Sequence, residues 1–581
     1  MSESNTAVTV GMSYVIGISG HRDIPSEDKT VVGLTVKNLL SDIKDRMPDV
    51  TVELISGLAA GADMIAADAA VALQIPVRAV LPMPIDLYRA DFLGADLERF
   101  EALVASPGVA VEEIPLPSVV AAEAISVEGP IRDDAYARLG DYIARRSNLP
   151  LVLWDGIQGG PPGGTADTLN RTLAIDGWQW ALPEFDAQKS TDADQAGRSV
   201  AWIPVRRSSE GSAPDPNVRW LVRGYESGRV SVSSVTPVAA ATEFAALQES
   251  AKAFSEVAAS DRSQSLPIGE DVTDPSQRRR LQEISDSFVE ADTLALQYGA
   301  SSTRVFQWLA VIAAAMGFFF LVYAKVATIA PYIIAYLVLV IVAVIVSRYA
   351  AKREWLVLYL SNRAVAETAR IRFHLAGIDA DEEIDVDQVL DLTGVGSLTG
   401  LELLRQSRRV GAPLVVESPN PSKEGVANLM AGWVDDQADY LKSKVGRLGK
   451  RERQLNVTKS LLIGLSIVAA VLLLFFAADL KDIYLPGHIK LKTALIFIMG
   501  LLPLWLGIWE LYQYKLAFQE LNWQFENQAR HYASASGQIN EADSWDQQLA
   551  VIRKLGEQSL FEVYLWVIHR YHREIEPTLP G

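Results

Sequence analysis

The sequence predicts an α/β N-terminal domain, a parallel sheet with helices on both faces, followed by an all-α membrane region with four transmembrane helices. Two observations lead there. From residue 14 to about 205, short β-rich runs alternate with helical stretches, as strand–helix–strand units closing a parallel sheet do. In the second half, Val305–Ala324 and Thr328–Ser347 are each 20 residues without a formal charge, and Leu461–Ala478 (18) and Thr493–Trp509 (17) are similar. At about 1.5 Å per residue, each spans roughly 25–30 Å, enough to cross a hydrocarbon core. A single such segment fits a buried core helix; four in one chain point to an integral membrane protein.

Taken in order, "YVIGI" (14–18) is a strand, followed by a helix over Glu27–Arg46 with Ser26 as its N-cap. "VTVELI" (50–55) is followed by a helix from about Ala62, and then by "VRAVL" (77–81). "LPLVLW" (149–154) precedes a Gly-rich loop and a helix from Thr165, and "SVAWIPV" (199–205) reads as a last strand. Residues 206–275, rich in Ser, Pro and charge, read as a variable edge running into a linker.

Lys and Arg set the orientation of the spans. Arg304 precedes the first, Arg348, Lys352 and Arg353 follow the second, and the tiny loop between them carries only Lys325. Lys442, Lys444, Arg447, Lys450, Arg451, Arg453 and Lys459 precede the third, while Lys481, Lys490 and Lys492 in the last loop weaken the bias. The rule that cytoplasmic loops carry the excess of positive charge places both hairpin mouths and both termini in the cytoplasm; the expected location is the inner (plasma) membrane, crossed several times. Each hairpin is flanked by polar helical stretches, and Glu367-Thr368-Ala369-Arg370 echoes Glu526-Asn527-Gln528-Ala529-Arg530, so the membrane half reads as a duplicated helix–hairpin–helix unit. The connector at about 376–425, with "DADEEIDVDQ", reads as a solvated loop.

Composition narrows the function. At 581 residues the chain needs several domains, and its net charge of −18 argues against a nucleic-acid polymer as partner. With no cysteine there are no disulfides, iron–sulfur clusters or cysteine-based zinc sites. "MSESNTAVTVGMS" lacks a basic region followed by an apolar run, so no cleaved signal peptide is expected. His569-Arg570-Tyr571-His572, with Glu574 nearby, reads as the basic end of an amphipathic helix rather than a metal site. The spans carry no ionisable residue of the kind a proton or substrate relay needs. Ala313 and Gly317 are a small-residue pair, and Gly500 and Gly507 lie near Pro503; this fits close helix contacts and a kink, and equally the ordinary frequency of Gly and Pro in membrane helices.

The chemistry concentrates where strands end. In an open parallel sheet, ligands bind beyond the carboxyl ends of the strands. Four loops leave such ends: Ser19-Gly20-His21-Arg22-Asp23; "SGLAAGAD", Ser56 to Asp63, with Gly57 and Gly61; Pro82 onwards, reaching Tyr88 and Asp91; and "WDGIQGGPPGGTADT", Trp154 to Thr168, with Asp155, Gly163, Gly164 and Thr165. Gly-rich loops running into helix N-termini make phosphate cradles. Singly each loop is an ordinary turn, but together on one edge they point to a phosphate-bearing ligand.

"GISGHRD", "SGLAAGAD", "LPMP…Y" and "LGDYIARRSNLPLVLWDG…GGTADT" resemble the SLOG domain, a Rossmann-like group related to the LOG cytokinin-activating enzymes, the DNA-processing protein DprA and the N-terminal region of melastatin-type TRP channels. The resemblance covers roughly 14–205. The second half, with "ADTLALQY" before a two-span hairpin, resembles SLATT membrane modules in two copies, which are associated with SLOG domains in bacterial defence systems. The resemblance implies a nucleotide pocket using Gly20, Arg22, Gly57, Gly61, Asp63, Gly163, Gly164 and Thr165, with Arg22 on the phosphate and Asp63 capping its helix or accepting from a ribose hydroxyl. Asp23, Ser56 and Asp155 complete the candidate set.

The hydrolytic LOG branch carries Pro-Gly-Gly-x-Gly-Thr-x-Glu-Glu. Here "PPGGTADT" lacks the intervening residue and has Asp167 and Thr168 where the two Glu would lie. Cleavage at an anomeric carbon needs a positioned carboxylate, so binding without turnover is favoured and Asp167 is the one catalytic candidate.

The expected organisation is a SLOG-like domain (1–210), variable edge and linker (211–275), first two-span module (276–375), connector (376–427), second two-span module (428–540) and a C-terminal cytosolic helix (541–581). The expected function is a ligand-gated bacterial membrane effector. A nucleotide second messenger or ADP-ribose-type ligand, with no other cofactor and no metal, would drive a homo-oligomer in the lipid bilayer to form a pore or disrupt the membrane in anti-phage defence. The alternative is a membrane-tethered nucleotide N-glycosidase or phosphoribohydrolase. A scaffold with a vestigial pocket is a third reading.

Overall fold

The structure is a computed structural model and describes residues 11–116, 125, 129–173, 196–207, 214–224, 230–270, 272–381, 386–393, 395, 402–415, 423–476, 478–485, 489–515 and 518–571. His572 and Glu574 lie outside the described residues. The chain divides into two compact units, one of Met1–Leu294, Val365–Glu382 and Gly396–Ser422, the other of Ala295–Ala364, Glu383–Val395 and Lys423–Gly581.

The first unit is a Rossmann-like α/β domain. Its strands are β1 (Tyr14–Gly20), β2 (Val52–Ser56), β3 (Val77–Leu81), β4 (Val109–Glu113), β5 (Leu149–Trp154), β6 (Ala196–Pro204), β7 (Arg219–Gly224) and β8 (Val230–Ser233), in the order β4-β3-β2-β1-β5-β6-β7-β8. The ladder is parallel from β4 to β6, and β7 and β8 add antiparallel at one edge. The central strands are mostly apolar because both faces are covered: β3 and β5 are buried at every position, Arg78 of β3 being the one charge between them.

The helices that matter for the site are α1 (Ser26–Arg46), α2 (Ala62–Ala72), α3 (Ala95–Val104), α4 (Pro130–Arg146) and α5 (Thr165–Leu173). Pro25 holds the N-cap position of α1, so Ser26 is its first helical residue rather than its cap. Pro130 opens α4 at the first turn, where a missing N–H costs nothing. On the sheet, Leu139, Tyr142 and Ile143 of α4 pack with Val15, Ile55 and Val80, while α5 places Leu169 and Leu173 against Val152, Trp154 and Trp202.

The stretch read as edge and linker holds β7, β8 and helix α6 (Val238–Ser255), whose Phe244 stacks edge-on against Tyr14. Next, α7 (Pro275–Leu321) begins inside the α/β unit. Its first turns carry Glu283, clamped by Arg78 and Arg146, and buried Glu290, which accepts from Met12 N (2.7 Å) and Ser250 Oγ (2.5 Å). The acidic run at 379–388, read as solvated, contributes Asp381, 1% exposed, which is ion-paired to Arg280 and to Arg372 (3.5 Å). Two guanidinium groups make its burial tolerable.

After the end of α7 come α8 (Ala330–Arg353), in the second unit, and α9 (Trp355–Ala376), which starts there and ends in the first; the second unit also holds α10 (Asp436–Phe476), α11 (Leu491–Lys515), α12 (Phe518–Glu541) and α13 (Trp545–Tyr571). Among the described residues four helices are long and apolar enough to cross a membrane: Pro275–Val326, Ala330–Ala376, Lys423–Phe476 and Leu491–Tyr514. Ile334, Ile341, Ile345, Leu461, Leu474 and Phe475 are exposed on them, as lipid-facing side chains are. The protein is a membrane protein.

Gly317 is the close helix contact its spacing suggested: a Cβ there would lie 2.2 Å from Leu504 Cδ2, and Trp505 Nε1 donates to Ala314 O at 3.1 Å. Pro503 lies inside α11. Outside its apolar stretch α10 runs beside α12, with Lys444 Nζ over the Phe525 ring (4.0 Å), and Ser536 Oγ of α12 donates to Asp435 Oδ1, in the turn that leads into α10 (2.7 Å).

Candidate functional site

In this sheet the chain turns outward from β1 through β2, β3 and β4, then returns to the other side of β1 as β5. The order reverses between β1 and β5, and this switch point is where open α/β sheets hold ligands. The loops after β1, β2, β3 and β5 all leave the same edge, as the sequence predicts.

Across the switch point, loops one and four are stitched together. His21 N donates to Leu153 O (3.1 Å), Asp155 N donates to His21 Nε2 (3.1 Å), and that nitrogen lies 3.1 Å from Asp155 Oδ2. Asp155 Oδ1 accepts from Ile157 N (2.8 Å), shaping its own loop. Gly20 and Gly61 let loops one and two touch. A Cβ on Gly20 would lie 2.4 Å from Ala62 Cβ, and one on Gly61, whose φ is +80°, would lie 2.4 Å from Arg22 O and 2.5 Å from His21 O. The close approach these glycines permit is thus of loop to loop, with Ala62 N donating to His21 O at 3.0 Å.

Loop two is held from within. Gly57 N donates to Asp63 Oδ2 (3.0 Å), Leu58 N to Ser56 Oγ (3.0 Å), and Tyr88 Oη to Gly57 O (3.0 Å). Between them Leu58, fully buried, has φ +50°, a left-handed conformation that costs a non-glycine residue about 1–2 kcal/mol. Strain of this kind is kept at functional sites when the surroundings over-determine it.

Arg22 is half-exposed at the mouth of the edge. Its guanidinium lies 4.8 Å from the centre of the Tyr136 ring and 3.8 Å from Asp91 Oδ2. Burial works against its charge, but Tyr88, Tyr136 and Asp91 raise its pKa above the ordinary guanidinium value. Asp91 also accepts from Arg132 and from the Tyr136 hydroxyl. Arg132 and Tyr136 were not singled out in the sequence. Their i, i+4 spacing behind the helix-opening Pro130 was the available signal.

The remaining candidates lie apart from Arg22. Asp23 is exposed and paired with Arg207 (3.3 Å). Gly163, at φ +76°, packs its Cα on the backbone of Tyr136 and Ala137, and its N–H donates to Asp167 Oδ2 (2.8 Å). That same oxygen accepts from Arg171 Nε (3.0 Å), so Asp167 pins the start of α5. Gly164 N donates to Pro161 O (3.0 Å), and Thr165 is buried as the first residue of α5. Three carboxylates (Asp63, Asp91 and Asp167) therefore sit on donors of the kind a phosphate would use.

Asp63 is buried without a close cation, and desolvation pushes its carboxyl up to about 7, against the opposing pull of hydrogen bonds from Ala59 and Gly57 and of the Arg22 charge. The folded protein then holds a proton that the unfolded chain, at about 3.8, has released. Asp63 therefore favours folding most below pH about 4, and that advantage is lost as pH rises towards 7, by at most about 4 kcal/mol. Asp63→Asn should be unaffected by this titration, so its melting temperature should gain on the native protein's between pH 4 and 8. Parallel profiles would refute the assignment.

Compared with models of known protein families, with curated proteins and with solved structures, the chain matched none. What the fold and the edge define is a class: a membrane protein with a Rossmann-like α/β unit whose strand-end loops share one edge of the sheet, with a half-exposed arginine at its mouth. Among the described residues no group of His, Asp and Glu is placed to hold a metal ion.

Proposed function

We propose that the α/β unit is a sensor for a phosphate-bearing ligand of the nucleotide or ADP-ribose class, and that its occupancy gates the membrane-spanning helices. The observation that carries this is Arg22 at the switch point, a half-exposed cation beside Asp91, which also has Arg132 and the Tyr136 hydroxyl as partners. Two arginines and a phenol around one carboxylate form a donor set that a phosphate could share or take over. The SLOG and SLATT resemblances point the same way. They extend the reading to a bacterial inner-membrane effector with both termini cytoplasmic, acting as a homo-oligomer through a pore or membrane damage in anti-phage defence.

A ligand shifts the spans only by its differential affinity for two states of the protein. Turnover is disfavoured because Asp167, the carboxylate nearest the position a hydrolase would use, is held by Gly163 N and Arg171.

The test uses the full chain in detergent, titrated with ADP-ribose and with linear and cyclic nucleotides, each then recovered by chromatography. A sensor gives thermal stabilisation with the nucleotide intact, and Arg22→Ala loses at least about tenfold in affinity, the worth of one charge-assisted contact. Equal affinity in Arg22→Ala would sink the site. Release of base and sugar phosphate would make the protein a hydrolase.

A further inference from the structure

We infer that helix α4 is the coupling rod between the strand-end site and the stem of α7, the helix that runs on into an apolar, membrane-length stretch. This rests on the reading of the strand-end site as the ligand site, and adds how its occupancy is passed on.

The first half of α4 touches every loop of that site. Arg22 of loop one lies over Tyr136, and Asp91 of loop three bonds Arg132 and Tyr136. A Cβ on Gly57 of loop two would lie 2.7 Å from Leu139 Cδ2, and one on Gly163 of loop four 2.5 Å from Ala137 N. A Cβ on Gly140 would lie just as close to Thr168, 2.6 Å from its Oγ1. The last turns of the same helix touch the α7 stem and the segment beside it. Arg146 Nη2 donates to Glu283 Oε2 (2.8 Å), Arg145 Nη1 donates to Pro413 O (3.0 Å), and Leu414 and Val415 pack against the apolar cluster that holds Tyr142 and Ile143.

From Tyr136 to Arg146 is about 15 Å along one unbroken helix, which transmits a shift without bending. The far contact is also all-or-none. Arg146 is 1% exposed, and its Nε and Nη1 have no hydrogen-bond partner among the described residues, so its buried charge leans on the Glu283 contact. A displacement of α4 must carry Glu283 with it or break a buried ion pair. A ligand anion competing with Asp91 for Arg22, Arg132 and Tyr136 supplies such a displacement at the other end.

The experiment needs no ligand. Hydrogen exchange is followed by mass spectrometry on the full chain in nanodiscs, comparing the native protein, Asp91→Asn and, as a control on the same loop, Arg89→Gln, whose partners Asp86 and Glu101 lie outside α4. Asp91→Asn is expected to change exchange over 280–293 of α7 by about fivefold or more, a typical coupling between sites, with β1 and β5 unchanged. Arg89→Gln should leave 280–293 as in the native protein. Exchange that changes around residue 91 but stays within twofold over 280–293 would overturn the coupling. If Asp91→Asn loosens β1 and β5 as well, Tyr136→Phe, which removes a single hydroxyl, replaces it under the same criterion. ADP-ribose added in a parallel arm separates the two readings: a stem that answers Asp91→Asn but not ADP-ribose upholds the rod and counts against the ligand class.

Discussion

Glu283→Ala is expected to destabilise the α/β unit by about 3–5 kcal/mol, the cost of removing one partner from a buried ion pair. Both Glu283 oxygens are used, Oε1 by Arg78 Nη2 (2.6 Å) and Oε2 by Arg146 Nη2 (2.8 Å). The two arginines would suffer unequally. Arg78 keeps Glu53, which accepts from its Nε and Nη2 at 3.0 Å each, whereas Arg146, whose Nε and Nη1 already lack partners among the described residues, would lose its hydrogen-bonded carboxylate. Replacing the pair together, Glu283→Leu with Arg146→Met, should recover most of the loss, because apolar residues of similar volume owe no desolvation penalty. Denaturant unfolding of the detergent-solubilised chain, with hydrogen exchange at β3 and α4 as the local probe, separates the two outcomes. If single and double replacements are equally unstable, packing rather than charge holds the stem.

Gly61→Ala should be nearly as damaging, at about 3 kcal/mol or more, and should abolish ligand binding as well. Two costs add. The residue sits at φ +80°, where an L side chain is strained by about 1–2 kcal/mol, and its Cβ would press on two backbone carbonyl oxygens that cannot rotate away. Loops one and two would be forced apart where Arg22 leaves the sheet. Gly94→Ala is the matched control. Its φ is +53°, but nothing lies within 4 Å of the added carbon, so only the conformational cost of about 1–2 kcal/mol applies. Equal melting temperatures for the two variants would show that the loop-to-loop contact is not what Gly61 is for.

These two sites differ in how far they could be read beforehand. Gly61 belongs to "SGLAAGAD", visible as a Gly-rich turn after a strand, although the neighbour it accommodates is loop one. Glu283 carries no signal at all: in the sequence it is one acid among the charges that open a helix. The same holds for Asp381, in a run that reads as solvated, which meets Arg280 from 101 residues away. Asp91 was visible as a loop residue, but its partners Arg132 and Tyr136 lie 41 and 45 residues downstream. Strands β7 and β8 escaped for another reason. They are short antiparallel additions at the sheet edge, and Ser- and Pro-rich surroundings mask their alternation.

From the sequence alone follow the α/β class, the five central parallel strands β1, β2, β3, β5 and β6, the four membrane-length helices, and the loops that leave the strand ends. All of these are written in local periodicity: a strand or a span declares itself within its own 5 to 25 residues. Only the tertiary structure decides the strand order that puts the switch point between β1 and β5, and the partner each charge finds there. It alone places Arg22 beside Asp91, Gly163 against Tyr136 and Glu283 between two arginines. A charge has no fixed role of its own; whether it binds, caps or clamps depends on the group that folding brings within about 4 Å of it, and that group is usually far away in the chain.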